Sequence, residues 1–421
     1  MPCSTQRVAA LRRNYHLSFQ GNRPETRYGW LKLTPAHSVT LIKELLAGLP
    51  PGDSLVLDPF CGTGTTALAC AEEGIPCETT DINPFLVWLA QTKTYPFSRA
   101  EIELFMTAAS DIAAELSRPG EASSAWRPPL HQIEKWWDVP YLEVLARLFE
   151  AIQSRSKVLP KASLNLLHLA FCRTLMAHSQ AGPGHQSLSF RPAPTSYYAA
   201  SLFEDTPCAE VLATWLQATQ SLAAAAYSPI KVIPRCMLGD ARALRSSLGP
   251  ERYTLVLTSP PYPNRISYIR ELRPYMYWLG YLKNGREAGE LDWLAIGGTW
   301  GSATSQLSRW EPPPSLTIPF DDLPALLTRI ADKSQILSKY VHKYFCDMYL
   351  HFQEIKQVLR SSGKIYYIIG NAKFYDVMIP VEAIFAAMLE AQGFCEIEIT
   401  TLRKRSSKKE LFEYVISARK P

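Results

Sequence analysis

Apolar residues along this chain change their spacing several times, and each change marks an element. Leu41, Ile42, Leu45 and Leu46 recur at helical spacing behind Ser38, which can cap a helix, and Pro50-Pro-Gly-Asp53 ends the run. Leu55-Val-Leu57 reads as a short buried strand, Ala67 to Glu73 as a helix closed by Gly74, and Cys77 to Thr80 as a second strand. From 97 to 230 the alternation stops, and helical periodicity predicts helices at about 101–117, 140–154, 161–178 and 206–227. Strands resume at Val232 to Leu238 and Tyr253 to Leu257, followed by a helix beyond Tyr262. The stretch 284–320, with Ile296-Gly-Gly-Thr-Trp-Gly301 and Glu311-Pro-Pro-Pro314, reads as a loop or flap. A long helix over roughly 322–360, interrupted near Lys333, leads to a strand at Lys364–Asn371 and a helix at Pro380–Gln392. Glu396–Thr401 and Glu413–Ala418 then form a terminal antiparallel hairpin. Strands alternating with helices predict an α/β fold with a mostly parallel sheet of about seven strands, interrupted by a largely helical insertion.

Two strand ends carry candidate chemistry. The first strand runs into Asp58-Pro59-Phe60-Cys61-Gly62-Thr63-Gly64-Thr65-Thr66, where Gly62 and Gly64 let the backbone approach a ligand and the following helix N-terminus supplies free N–H groups. Asp81, followed by Ile82, lies 17 residues after Gly64, near the spacing of an acid that accepts from ribose hydroxyls. The competing reading of the glycines is tight strand–helix packing. There is no Walker lysine, which argues against a nucleoside triphosphate. The other turn, Ser259-Pro260-Pro261-Tyr262, follows the Tyr253 to Leu257 strand; two prolines stop a ladder and leave a stiff turn with a hydroxyl, free carbonyls and an aromatic face. Such parts can hold a flat heterocycle by its amino group, although an ordinary Pro-Pro loop would look the same.

Composition narrows the class. The chain has 421 residues, 47% hydrophobic and 20% charged, which is globular. No apolar run reaches a membrane span, and the first residues lack the apolar core of a secretory signal. Nine scattered cysteines without a C-x-x-C pair favour reduced thiols in a cytoplasm and offer no metal site. A net charge of +5 permits a nucleic-acid partner without requiring one. Three basic stretches are candidates for it. His185, Gln186, Ser187 and Arg191 lie in a loop too long for a plain connector. Arg265, Arg270 and Arg273 are interleaved with tyrosines along a predicted helix. Arg403, Lys404 and Arg405 open a seven-residue run with five cations, which is either a solvated hairpin tip or a phosphate contact. Trp136, Trp137, Tyr277 and Trp278 are expected in cores or interfaces.

Together the Asp58–Thr66 and Thr258–Tyr262 turns resemble those of the S-adenosylmethionine-dependent DNA amino-methyltransferases. A serine at the head of Pro-Pro-Tyr, preceded by Thr258, is similar to the cytosine-N4 branch; adenine-N6 enzymes more often carry Asp or Asn there. Arg27-Tyr-Gly-Trp30 and the Thr34–Leu46 segment look like the family's first cofactor motif, and Tyr344–Met348 and Gly363–Asn371 like its later ones. The resemblance implies a Rossmann-like methyltransferase sheet divided as 1–96 (cofactor part), 97–230 (helical insertion, candidate target-recognition region) and 231–421 (catalytic part). It implies that Thr34, Asp58 and the turn backbone hold the methionine moiety, that Asp81 and Ile82 hold the ribose, and that Asp240 and Ala241 meet the adenine. Ser259 and the Pro260 carbonyl would accept from the amino group of a cytosine flipped out of DNA, with Tyr262 stacked on it. It leaves room for a cognate restriction endonuclease in a prokaryotic cytoplasm, and leaves open whether 97–230 or 284–320 reads sequence. Cytosine-C5 enzymes match poorly, since Tyr262 stands where they need a cysteine. RNA guanine-N2 enzymes usually have Asp at the head of Pro-Pro-Tyr and an added N-terminal domain. A non-catalytic DNA-binding protein would not need the intact turn.

Overall fold

The computed structural model describes residues 22, 25–31, 33, 37–49, 52–118, 125–181, 206–299, 301–405 and 410–421. Nine strands are present among them: β1 Val56–Asp58, β2 Cys77–Asp81, β3 Arg235–Leu238, β4 Tyr253–Thr258, β5 Leu359–Gly370, β6 Ala372–Phe374, β7 Val377–Ile379, β8 Cys395–Lys404 and β9 Phe412–Arg419. Seven form one sheet in the order β3-β2-β1-β4-β5-β9-β8, while β6 and β7 pair separately as a short hairpin that the sequence pattern did not reveal. Neighbours from β3 to β5 are parallel, and β9 runs antiparallel to both β5 and β8. This is the expected α/β, Rossmann-like, mostly parallel sheet with its antiparallel C-terminal hairpin.

Central strands are apolar on both faces because helices cover both. Val56, Leu255, Leu257 and Ile368 face the core shared with the helices Val39–Leu46 and Thr65–Glu73. Leu57, Val256, Ile365 and Ile369 point the other way, into the core of Gln335–Val358 and Val381–Ala391. Ser38 caps the first of these helices, its side chain accepting from Leu41 N at 3.3 Å. The predicted interruption near Lys333 separates Leu323–Ala331 from Gln335–Val358.

The insertion builds its own core from Arg99–Leu116, Val139–Ser154, Lys161–Ala177 and Pro207–Ala226. Trp136, Trp137, Trp215 and Trp278 are all buried in it, and Trp137 and Trp215 satisfy their indole N–H groups on the Leu175 and Ala109 carbonyls at 2.7 and 3.0 Å. That core continues into Phe85 and the helix Tyr268–Trp278, so the insertion is packed directly against the elements that carry the strand-end turns.

One expectation fails. The stretch 284–320 is not a loop but contains the helices Gly285–Leu294 and Ser302–Arg309, the first capped by Asn284, whose side chain accepts from Glu287 N at 2.9 Å. Gly297 and Gly301, both at positive φ, lie between the helices, and the three prolines follow them. No helix among the described residues is long and apolar enough to cross a membrane.

Candidate active site

The sheet's strand order reverses between β1 and β4, and ligand crevices open beyond the carboxyl ends at such a point. Four motifs end there side by side: Asp81 closes β2, Asp58 closes β1, Gly239-Asp240 follows β3 and Ser259 follows β4. A cavity of about 240 Å³ opens over them, walled by Pro59, Phe60, Gly62, Asp81, Ile82, Asp240, Ala241 and the whole of Ser259–Tyr262.

Asp58 is fully buried. Its Oδ1 accepts from Phe60 N at 3.1 Å and from Thr258 Oγ1 at 2.6 Å, a bond that ties the end of β1 to the end of β4. Its Oδ2, also buried, has no hydrogen-bond partner among the described residues. Burial pushes the carboxyl above the usual range, opposed first by His37 and then by the Thr258 hydroxyl. His37 lines the cavity, lies 3.5 Å from Thr66 Oγ1 through Nε2, and is itself pushed down by burial. Nothing in the sequence pattern singled out this histidine.

The two glycines of the turn do different work. Gly62 faces the cavity at φ +52° and donates its N–H to Asp81 Oδ2 at 2.8 Å. A Cβ on Gly64, which sits at φ +76°, would lie 2.8 Å from the Ala90 Cβ, so this glycine serves helix packing. Cys61, Thr63, Thr65 and Thr66 are likewise buried and do not wall the cavity. Asp81 Oδ1 accepts from Asn83 N at 2.9 Å, and burial raises its pKa to about 7 against the pull of these backbone donors.

Asp240 is held by Arg242, which donates through Nε to Oδ1 at 3.0 Å and through Nη2 to Oδ2 at 2.8 Å, and which lowers its pKa. Arg242 in turn binds Asp347 at 2.9 Å. The Ala241 carbonyl is 2.8 Å from His351 Nδ1, whose Nε2 is 2.6 Å from the Tyr367 hydroxyl. Burial lowers His351 to about 4, so it is neutral at ordinary pH and Nδ1 donates to the carbonyl.

In the second turn, Tyr344 donates to the Pro261 carbonyl at 2.9 Å. Ser259 Oγ lies 3.5 Å from the Tyr262 hydroxyl, which donates to Glu413 Oε1 at 2.9 Å. Arg403 and Arg405 are not at a solvated tip. Both wall the cavity, with Arg403 Nε 2.5 Å from Glu413 Oε2 and the Arg405 guanidinium 5.2 Å from the Tyr262 ring centroid. Lys404 instead lies over Phe412, 6.0 Å from its centroid.

Beside the turn, Arg265 and Arg270 line a second cavity of about 420 Å³ with Asn264, Ser267, Thr299 and Thr304. Arg265 is exposed at φ +62°. Arg273 departs from the expected strand-tracking role: it stacks on Trp136, 5.0 Å from the ring centroid, and burial lowers it to about 10. Arg27 is buried in the first-motif segment and donates to the Lys93, Tyr95, Ala225, Ala226 and Ser228 carbonyls, pinning that segment to the insertion. Thr34, His185, Gln186, Ser187 and Arg191 lie outside the described residues. The eight described cysteines are unpaired, and no cluster of metal-ligating side chains occurs among the described residues.

A nucleoside-bearing cofactor fits these residues. Asp81 and Asp240 supply carboxylates at adjacent strand ends, Ile82, Leu294 and Ile296 supply apolar walls, and the partnerless Asp58 oxygen lies one residue from the cavity wall at Pro59.

No protein-family model matches the chain. Over 69 residues it is 35% identical to the Type II methyltransferase M.AvaI of Nostoc sp., and equally to that of Anabaena variabilis, covering 16% of this chain and 14% of the relative. Those matches therefore span a small part of either protein. The Type II methyltransferase M.BsoBI of Geobacillus stearothermophilus is 21% identical over 432 aligned positions, covering 92% of this chain and 82% of that protein. The rRNA methyltransferase aviRa of Streptomyces viridochromogenes covers 92% of this chain and 87% of its own at 13% identity and a TM-score of 0.29, too loose a superposition to argue from. S-adenosylmethionine is the cofactor that the methyltransferase relatives imply.

Proposed function

We propose that this chain is a site-specific DNA methyltransferase that uses S-adenosylmethionine to methylate the exocyclic N4 amino group of cytosine. One observation carries the reading: a Ser-Pro-Pro-Tyr turn and a glycine turn end adjacent parallel strands, open on one cavity, and are joined by the Thr258–Asp58 hydrogen bond. Likeness to proteins named Type II methyltransferases supports DNA as the substrate.

When bound, S-adenosylmethionine supplies an electrophilic methyl group. Asp58 and the Gly62 backbone would hold its amino-acid end, Asp81 and Ile82 the ribose, and Asp240 with Ala241 the adenine. The cytosine amino group is a poor nucleophile because its lone pair is delocalised into the ring. Ser259 Oγ and the Pro260 carbonyl accept its two N–H hydrogens and free that lone pair; Tyr344 already occupies the neighbouring Pro261 carbonyl. Alignment does most of the remaining work, and the nitrogen, cationic once methylated, readily loses one of its two protons to solvent, so neither acceptor need be a strong base. Tyr262 stacks on the base once it is flipped out, at a cost of a few kcal/mol in lost stacking. Arg265 and Arg270 meet backbone phosphates beside the flipped nucleotide, and one of the two insertions, 97–230 or 284–320, reads the target sequence. A cognate restriction endonuclease would complete the system.

Incubation with tritiated S-adenosylmethionine and bacterial DNA or RNA tests the reading. Label is expected in DNA; label confined to RNA, or none at all, would refute it.

A further inference from the structure

The reaction proposed above uses the Ser259 hydroxyl and the Tyr262 ring, but not the hydrogen-bonded chain that runs through them behind the catalytic turn. Ser259 Oγ donates to the Tyr262 hydroxyl at 3.5 Å, and that hydroxyl donates to Glu413 Oε1 at 2.9 Å. Glu413 lies on β9, 151 residues from Tyr262, and is 7% exposed. Its other oxygen accepts from Arg403 Nε at 2.5 Å. Arg405 covers the Tyr262 ring and is itself fixed on the Phe412 and Asn371 carbonyls, so the ring is held in place. Burial and the Glu413 carboxylate push the Tyr262 phenol well above its ordinary pKa, so it keeps its proton.

The direction of this chain follows from donor and acceptor counts. A salt-bridged carboxylate can only accept, so the phenol must donate its single proton to Glu413. The phenol oxygen is then an acceptor, and the Ser259 proton turns towards it. What Ser259 presents to the cavity is therefore lone pairs.

We propose that Glu413 is a positioning residue: through Tyr262 it sets the direction of the Ser259 hydroxyl, so that the site offers an acceptor and selects a reacting group that carries N–H hydrogens. This rests on reading the cavity as an amino-methyltransferase site. The same geometry gives the terminal hairpin a place in the catalytic pocket, with Arg403 and Arg405 holding the chain's far end rather than gripping DNA phosphates.

The test is Glu413→Gln, which keeps the shape but can donate as well as accept, so the chain is free to run either way. Turnover is expected to fall about tenfold or more, with the KM for cofactor unchanged and calorimetric affinities for S-adenosylmethionine and for DNA within about twofold of wild type. Tyr262→Phe cuts the same chain, so the double variant should be no slower than the slower single one. Wild-type turnover in Glu413→Gln overturns the proposal, as do losses that multiply in the double variant. Loss of cofactor binding in Glu413→Gln would make the role structural and overturn it too. A wild-type protein that transfers no methyl group to DNA would instead overturn the underlying reading.

Discussion

Thr258→Val isolates the link between the two turns. The Thr258 hydroxyl donates to Asp58 Oδ1 at 2.6 Å, and both residues are completely buried, so no water can replace the lost donor. Valine keeps the branched shape while removing the hydroxyl. Such a bond contributes about 1 kcal/mol if Asp58 is protonated and up to about 3 kcal/mol if it is ionised. Asp58 would retain Phe60 N as a donor, and its pKa would rise further, since the Thr258 bond is one of the forces that hold it down. The loss divides between folding and cofactor binding. Urea unfolding and calorimetry with S-adenosylmethionine should therefore share a loss of about 1–3 kcal/mol between them, with the affinity weakened only by the part that unfolding does not show. The methylated base should not change, because Thr258 touches Asp58 and not the cavity. Stability and affinity both equal to wild type would refute this account of Thr258, as would a changed product base with cofactor affinity intact.

Further outcomes follow from the same geometry. Ser259→Ala should bind S-adenosylmethionine as wild type does in calorimetry while losing about 10²-fold in turnover. Gly64→Ala should lower stability by about 1–3 kcal/mol in urea unfolding, from its clash with Ala90 and its positive φ; Gly62→Ala should act mainly on cofactor affinity. Asp81, raised to about 7, gains acceptor capacity as it loses its proton, so cofactor affinity should tighten as pH rises through about 7 and then level off. In the cofactor-free protein the sign is opposite. Between the ordinary carboxyl pKa and about 7 the folded state holds more protons than the unfolded, so Asp81's contribution to stability falls as pH rises through that window, and Asp81→Asn should remove that dependence from urea-unfolding curves. Arg270→Ala should reduce the salt dependence of DNA binding by about one counterion, whereas Arg273→Ala should leave it unchanged and destabilise the insertion by removing the contact with Trp136.

Much of the site was legible because its parts are local. Asp58–Thr66, Asp81, Asp240 and Ser259–Tyr262 each lie at the carboxyl end of a short strand, and parallel strands at a switch point bring such ends together whatever lies between them. Residues that arrive from elsewhere were not legible. Glu413 is the second residue of β9 and nothing near it in sequence advertises a role, and His37, although it falls inside the Thr34–Leu46 segment, is not itself marked by any pattern there. The Arg403–Lys409 run left a solvated tip and a phosphate contact open, because five cations in seven residues suit either, whereas alternation at the end of β8 sends Arg403 and Arg405 to the cavity and Lys404 to Phe412. For 284–320, glycines and prolines outweighed a readable signal, Asn284 three residues before Glu287, which caps the helix found there.

Nucleoside mass spectrometry tests the central claim most directly. DNA lacking modified bases is incubated with the protein and S-adenosylmethionine, then hydrolysed completely and analysed. The account predicts N4-methylcytosine as the product, and its loss in Ser259→Ala. N6-methyladenine as the sole product would contradict the cytosine assignment, and methylated DNA bases from Ser259→Ala at the wild-type rate would contradict the role given to the turn.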